Sequence, residues 1–183
     1  MSSYLESVAK LFHYYKSLGD KTLERLTFDE LQNTINEQSN SIAVIVKHMA
    51  GNMLSRWTNF LIEDGEKDWR NRDQEFIDAF TSKEALQSYW NQGWTCLFNA
   101  LDPLTDAHLE QQIFIRNQGH TVVEAINRQL AHYAYHIGQM VVIAKQIKGQ
   151  EWESLSIPKG QSAAYNRDKF AKEKTRRHFT EDL

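Results

Sequence analysis

The chain has 183 residues, 41% of them apolar, and a formal net charge of −3 from 21 basic and 24 acidic side chains. This composition suits one globular domain with a sizeable core and excludes a disordered chain. The near-neutral charge gives no support to nucleic-acid binding, and a single cysteine, Cys96, excludes a disulfide framework. Residues 1–10 are charged where a signal peptide needs an apolar run, and no segment qualifies as membrane-spanning, so we expect a cytoplasmic protein.

Apolar residues that recur at helical spacing predict four long helices and therefore an all-α fold. In chain order these helices run over residues 3–18, 41–64, 81–102 and 121–148. Gly19 is expected to end the first helix, and capping boxes beginning at Thr81 and Thr121 are expected to open the last two. Between those two, residues 111–120 alternate briefly and predict a hairpin arm that turns at Gly119.

Two connections differ in character. The first is a long polar stretch, residues 20–40, with short helical pieces at residues 22–26 and 28–31, which suits a bundle with a crossover. The second, residues 66–73, is a charged loop that we interpret as solvated. The alternative interpretation is a lid whose Trp69 or Arg70 contacts a substrate.

The second predicted helix carries a polar stripe along one face. Its members, His48, Asn52, Ser55 and Arg56, fall at i, i+4, i+7 and i+8. A buried polar group without a partner costs about 1–3 kcal/mol, so a wet cleft that contains a metal ion would satisfy this stripe. Arg56 is a candidate for binding an anionic cofactor group. The alternatives are a stripe that faces solvent or a hydrogen-bonded core histidine.

The fourth predicted helix contains His132 and His136, which lie one above the other on the same face. Neutral imidazole is the commonest metal ligand in proteins, and with His48 as a third ligand we favour a divalent metal site. Tyr133 stands where zinc metalloproteases carry a glutamate, so this is not their motif. Gln129 and Gln139 flank the pair and are expected to hydrogen-bond at the site.

After Gly149 the chain changes character. Residues 152–162 look irregular, and residues 166–178 carry six basic side chains against two acidic ones. We interpret this region as a solvated tail or a short helix. The alternative is that it caps a neighbouring subunit or attracts an anionic substrate. The predicted domain organisation is a helical domain over residues 1–165 and a polar, basic C-terminal tail over residues 166–183.

Two stretches carry a resemblance to a known family. Residues 45–52 read IVKHMAGN and residues 132–139 read HYAYHIGQ, with a branch-specific LSIPKGQS at residues 155–162. The chain resembles the DinB-like (DNA-damage-inducible) superfamily of metal-dependent enzymes, in a bacterial branch of unknown function, from residue 3 to about residue 166. The resemblance implies a four-helix bundle with a long connection between the first two helices. It also implies a three-histidine metal site at His48, His132 and His136.

The function implied by the resemblance is a metalloenzyme that acts on a small molecule. Zn or Ni is the expected divalent ion, with Fe or Mn as alternatives, and the relatives include S-transferases that use a low-molecular-weight thiol. Metal-assisted hydrolysis and a non-catalytic helical module for metal binding or dimerisation are the alternatives. DNA repair rests on the family's name alone, and the charge balance argues against it. Surplus aromatic residues and the C-terminal segment predict a homodimer.

Overall fold

The computed structural model describes residues 3–77 and 80–182, which form six α-helices and one two-stranded hairpin. The helices are α1 (Ser3–Glu24), α2 (Phe28–Gln32), α3 (Ile42–Trp57), α4 (Lys83–Leu101), α5 (Val122–Lys148) and α6 (Ser162–Phe170). The antiparallel strands are β1 (Gln112–Ile115) and β2 (Gln118–Thr121). Single 3₁₀ turns lie at Asp73–Phe76, Asp106–His108, Gly149–Glu151 and Phe179–Asp182. The mainly helical fold agrees with the predicted all-α class.

Helix α3 occupies the centre of the core and packs against α4 and α5, while α1 packs against α5. Almost every residue of α3 is buried, as expected for a helix that is apolar on most of its circumference. An aromatic cluster of Phe12, Trp90, Trp94 and Tyr133 fills the space between α1, α4 and α5 with edge-on ring contacts. This packing places the histidine of α3 beside the histidine pair of α5.

The first helix does not end at Gly19, as predicted, but continues to Glu24. Gly19 is buried, and a Cβ at this position would lie 2.6 Å from the Trp90 ring. The glycine is therefore needed for close packing between α1 and α4, not as a helix stop. The predicted helical piece at residues 22–26 is largely the end of α1, whereas the piece at residues 28–31 is a separate helix, α2.

Helix α3 ends at Trp57 and not at residue 64, as predicted. Asn59 adopts a left-handed conformation with φ of 48°, which turns the chain out of the helix. The chain then folds back so that the side chains of Ser55 and Arg56 both donate hydrogen bonds to the carbonyl of Gly65. The early end of the helix thus comes from contacts between residues about ten positions apart.

The predicted hairpin is present, but its turn lies at Arg116 and Asn117 and not at Gly119. Both turn residues have positive φ, 54° and 60°, as a two-residue hairpin turn requires. The carboxylate of Asp64 accepts a hydrogen bond from each of their backbone N–H groups, at 2.8 Å. These bonds hold the hairpin against the segment that follows α3.

The helix caps agree with the sequence in one case and differ by one residue in the other. Thr121 and Glu124 form the predicted capping box of α5. Helix α4 begins after Ser82, whose hydroxyl accepts from the Ala85 N–H, so Thr81 is not its cap. Within the described residues, no helix is both long enough and apolar enough to cross a membrane.

The C-terminal segment is mostly exposed and contains α6, which runs across the predicted boundary between residues 165 and 166. Its end returns to α1, where Lys10 pairs with Glu181 at 2.6 Å. The segment therefore contacts the helical domain at its end.

Candidate metal centre

Three histidines from two neighbouring helices converge at one point. His48 projects from α3, and His132 and His136 project from successive turns of α5. The Nε2 atom of His132 lies 3.3 Å from Nε2 of His48 and 3.0 Å from Nε2 of His136. His48 is buried, and the other two rings are half-buried. The structure thus brings together the three predicted ligands in an arrangement that could hold a metal ion.

In each of the three rings, the second nitrogen, Nδ1, lies within hydrogen-bond distance of a side-chain oxygen. For His48, His132 and His136 in turn, Nδ1 lies 2.9 Å from Glu75 Oε2, 3.3 Å from Gln129 Oε1 and 2.8 Å from Gln139 Oε1. Because these oxygens accept hydrogen bonds, Nδ1 of a neutral ring carries the proton and donates it. Nε2 is then unprotonated, so three lone pairs face the same small space.

The separations of His132 Nε2 from the Nε2 atoms of His48 and His136 fit two ligands of one divalent ion. Two nitrogens that each lie about 2.0–2.1 Å from a zinc ion are about 3.3 Å apart when the nitrogen–zinc–nitrogen angle is tetrahedral. They are about 3.0 Å apart when that angle is about 90°. Burial and the neighbouring histidines lower the pKa of His132 to about 3, and burial also lowers the pKa of His136. Both rings are therefore neutral at pH 7, which is the form that binds a metal.

Glu75 is a residue of this site that the sequence analysis did not predict. It lies in the 3₁₀ turn after the charged loop, is buried, and accepts from Arg70 Nε at 2.7 Å and Nη2 at 2.9 Å. Burial by itself raises the pKa of Glu75, but the hydrogen bonds from His48 and Arg70 outweigh it and lower the pKa. The interpretation of residues 66–73 as solvated fits Trp69, which is 61% exposed, but is wrong for Arg70, whose side chain is 2% exposed.

Gly51 and Phe76 lie next to the hydrogen-bonded pair of Glu75 and His48. A Cβ at Gly51 would lie 2.5 Å from Glu75 Oε1, so a glycine at this position of α3 admits the carboxylate. The ring of Phe76 stacks on His48 with ring centroids 5.0 Å apart. A glycine inside a helix, three residues after a candidate ligand, is the one local signal of a close approach here. It does not identify the group that approaches.

Asn52 lies one turn after His48 and takes part in a buried chain of hydrogen bonds. Trp57 Nε1 donates to the Tyr133 hydroxyl at 3.2 Å, and this hydroxyl donates to Asn52 Oδ1 at 3.0 Å. Burial raises the pKa of Tyr133, so the hydroxyl keeps its proton. Asn52 thus connects α3 to α5 beside the centre, and its hydrogen bond goes to Tyr133, not to a histidine.

Arg56 lies at the far end of the polar stripe. Its Nη1 donates to the Gly65 carbonyl and to Glu66 Oε2 at 3.1 Å, and its side chain is 6% exposed. Burial lowers the pKa of this guanidinium, and Glu66 partly offsets that effect. The anionic partner of Arg56 in the structure is therefore a carboxylate of this chain, and binding of a cofactor group remains a prediction.

One family model matches residues 1–161, and its description is "Protein of unknown function (DUF1572)". The matched span contains the three histidines, their three oxygen partners and Arg70. No curated protein and no solved structure is similar enough to the chain to match it. Because the matched span covers most of the sequence, the chain belongs to the DUF1572 family.

Proposed function

We propose that this protein is a metal-dependent enzyme of the DinB-like superfamily, a four-helix bundle whose divalent ion is held by His48, His132 and His136. The observation that carries the proposal is the convergence of three Nε2 atoms, with that of His132 lying 3.3 Å from that of His48 and 3.0 Å from that of His136, on rings whose Nδ1 atoms each have an oxygen partner. Lone pairs this close repel one another unless a cation lies between them. The histidine motifs and the four long helices support membership of the superfamily.

Three neutral ligands favour a catalytic site over a structural one, because structural sites are usually closed by four protein ligands. An ion held by these three histidines would keep its full charge, so it would lower the pKa of a bound water or thiol or polarise a carbonyl. Glu75 orients the His48 ring and keeps its Nδ1 protonated, while Gln129 and Gln139 do the same for the other two. Zn or Ni is the proposed ion, and Fe or Mn is the alternative.

The proposed reaction is thiol transfer from a low-molecular-weight thiol to a small electrophile. The carboxylate that contacts the centre, Glu75, already accepts three hydrogen bonds, so it is not free to act as a base. A thiol has an ordinary pKa of about 8.5 against about 15.7 for water, so a thiol needs less help from a base to ionise, which favours a thiol as the reacting group. Metal-assisted hydrolysis is the alternative reaction.

We also propose a cytoplasmic location and a homodimer. Light scattering tests the homodimer directly, because it measures the molar mass of the protein in solution.

Metal binding is tested by titrating Zn²⁺ or Ni²⁺ into chelator-treated protein in a calorimeter. We expect one ion per chain in the wild type. His132→Ala is expected to lose more than the roughly 10–100-fold in affinity that removal of an outer hydrogen-bond partner costs. His13→Ala is the matched control, because His13 is exposed and stacks on Phe98 away from the centre. Equal affinities in wild type and His132→Ala would overturn the proposal.

Activity is tested with the metal-loaded wild type, simple thiols and an alkylating electrophile, with ester hydrolysis measured in parallel. Thiol transfer that requires both the metal and His132 supports the proposed reaction. Metal-dependent ester cleavage without thiol transfer would assign the protein to the hydrolases instead. Binding of metal with neither activity would favour the non-catalytic helical module.

A further inference from the structure

A recess of about 490 Å³ opens beside the candidate metal centre, between α3, α5 and the 33–41 connection. Gln139 joins the two sites, because its Oε1 accepts from His136 Nδ1 and the same residue lines the recess. Three larger depressions lie along α3 and α4 and between α1 and the C-terminal segment. None of them is lined by the three histidines of the candidate metal centre or by the three residues hydrogen-bonded to those histidines.

The recess has no charge on its walls. Four apolar side chains, Ile35, Ile45, Val142 and Ile143, line it, and the other described side chains that line it are three amides and one hydroxyl. None of these residues is ionisable. A charged group placed here would lose water without gaining a partner of opposite charge, which is costly. An uncharged, apolar group meets no such penalty.

The mouth of the recess exposes apolar surface to solvent. Ile35, in the 33–41 connection, is 50% exposed, and Val142, on α5, is 54% exposed. Exposed apolar side chains around a concave space of this size are typical of small-molecule sites, which measure about 300–1,000 Å³. The lining also includes Gly138, where an added Cβ would meet no atom within 4 Å. The helix surface is therefore open at this residue.

We propose that this recess binds the uncharged, apolar part of the electrophilic substrate. Its assignment to a substrate rests on the function proposed above, whereas the binding preference rests on the walls of the recess alone. Because Gly138 lines the recess and has open space beside it, a larger side chain at this position is expected to occupy part of the recess. The ionised groups of a thiol cofactor would then lie on the other side of Gln139, away from this recess.

Three ligands of equal length and different charge test the proposal: 1-hexanol, hexanoate and hexylamine at pH 7. Binding to the full-length chain is followed through the backbone amide resonances of residues 138 and 142. A chelator is present so that hexanoate cannot bind through a metal ion. We expect hexanol to bind at least about tenfold more tightly than either ion, because burying an unpaired charge is costly.

Gly138→Leu adds a branched side chain to the lining of the recess and is expected to weaken hexanol binding by at least about tenfold through loss of space. Gln146→Leu is the matched control, since it adds the same side chain to an exposed position of α5 outside the recess. Equal binding of the three ligands, or wild-type hexanol binding by Gly138→Leu, would overturn the inference. Zinc titration of Gly138→Leu is expected to match the wild type. A wild type that binds hexanol but no zinc would instead overturn the proposed function alone.

Discussion

Replacing Glu75 with glutamine tests whether this carboxylate supports the metal centre. The carboxylate accepts from His48 Nδ1 at 2.9 Å and from two nitrogens of Arg70 at 2.7 and 2.9 Å. A glutamine keeps the size but has one accepting oxygen, so its amide N–H₂ must face either the histidine or the guanidinium. Loss of a charge-assisted hydrogen bond costs about 1.5–3 kcal/mol. Complete loss of a buried ion pair, about 3–5 kcal/mol, is the upper bound.

Two measurements on Glu75→Gln separate its structural and metal-binding roles. Urea unfolding of the metal-free protein is expected to show the loss of 1.5–3 kcal/mol estimated above, which a domain with about 5–15 kcal/mol of stability survives. Calorimetric titration is expected to show zinc affinity reduced by about 10–100-fold, because His48 loses the partner that orients it. A variant with wild-type zinc affinity would refute a role for Glu75 at the centre, whatever its stability.

Three further predictions concern stability. Gly51→Ala puts a methyl group 2.5 Å from the Glu75 carboxylate oxygen Oε1, so urea unfolding is expected to show a lower free energy of unfolding. In other helices the same substitution normally raises the free energy of unfolding by about 0.5–1 kcal/mol, and such an increase here would contradict the prediction. Tyr133→Phe leaves Asn52 Oδ1 buried without its donor, at a cost of about 1–3 kcal/mol in the same assay, and an unchanged midpoint would count against it. Glu30→Gln breaks the pair with Lys148 and is expected to lose about 0.5–1 kcal/mol at pH 7. Because that pair lowers the pKa of Glu30, its stabilisation is present above the unfolded pKa, so wild type and variant are expected to converge as pH falls below about 4.

The parts of the fold that the sequence predicts are those set by neighbours along the chain. Helix α5 was expected from its apolar spacing, from the capping box at Thr121 and from Gly149 after its last residue, and all three signals are local. The end of α1 was predicted wrongly because Gly19 is required by Trp90, which is 71 positions away. The end of α3 was predicted wrongly because Gly65 returns to bind its last turn.

The residues of the candidate site also divide into those that local spacing predicts and those that depend on contacts in the folded structure. His132 and His136 share a helical face through spacing alone, and their flanking glutamines follow from the same periodicity. Glu75 lies in a single 3₁₀ turn, where no periodic pattern marks a buried side chain. Its burial depends on the ion pair with Arg70 and on the absence of a side chain at Gly51 in α3. Both are features of the folded structure that no periodic pattern in the sequence marks. Spacing therefore predicts which histidines share a helical face, but not the ion pair of Glu75 and Arg70 beside His48.

The hydrogen bond between Tyr133 and Asn52 restrains the rotation of α5 about its own axis. Aliphatic contacts between two helices are non-directional and change little when one helix turns slightly, whereas a hydroxyl-to-amide bond of 3.0 Å tolerates very little rotation. Successive residues of a helix are about 100° apart, so a rotation by one residue would carry His132 away from His48. A buried polar contact at Tyr133, the residue next to His132, therefore helps to keep α5 in the orientation that brings its histidines to His48.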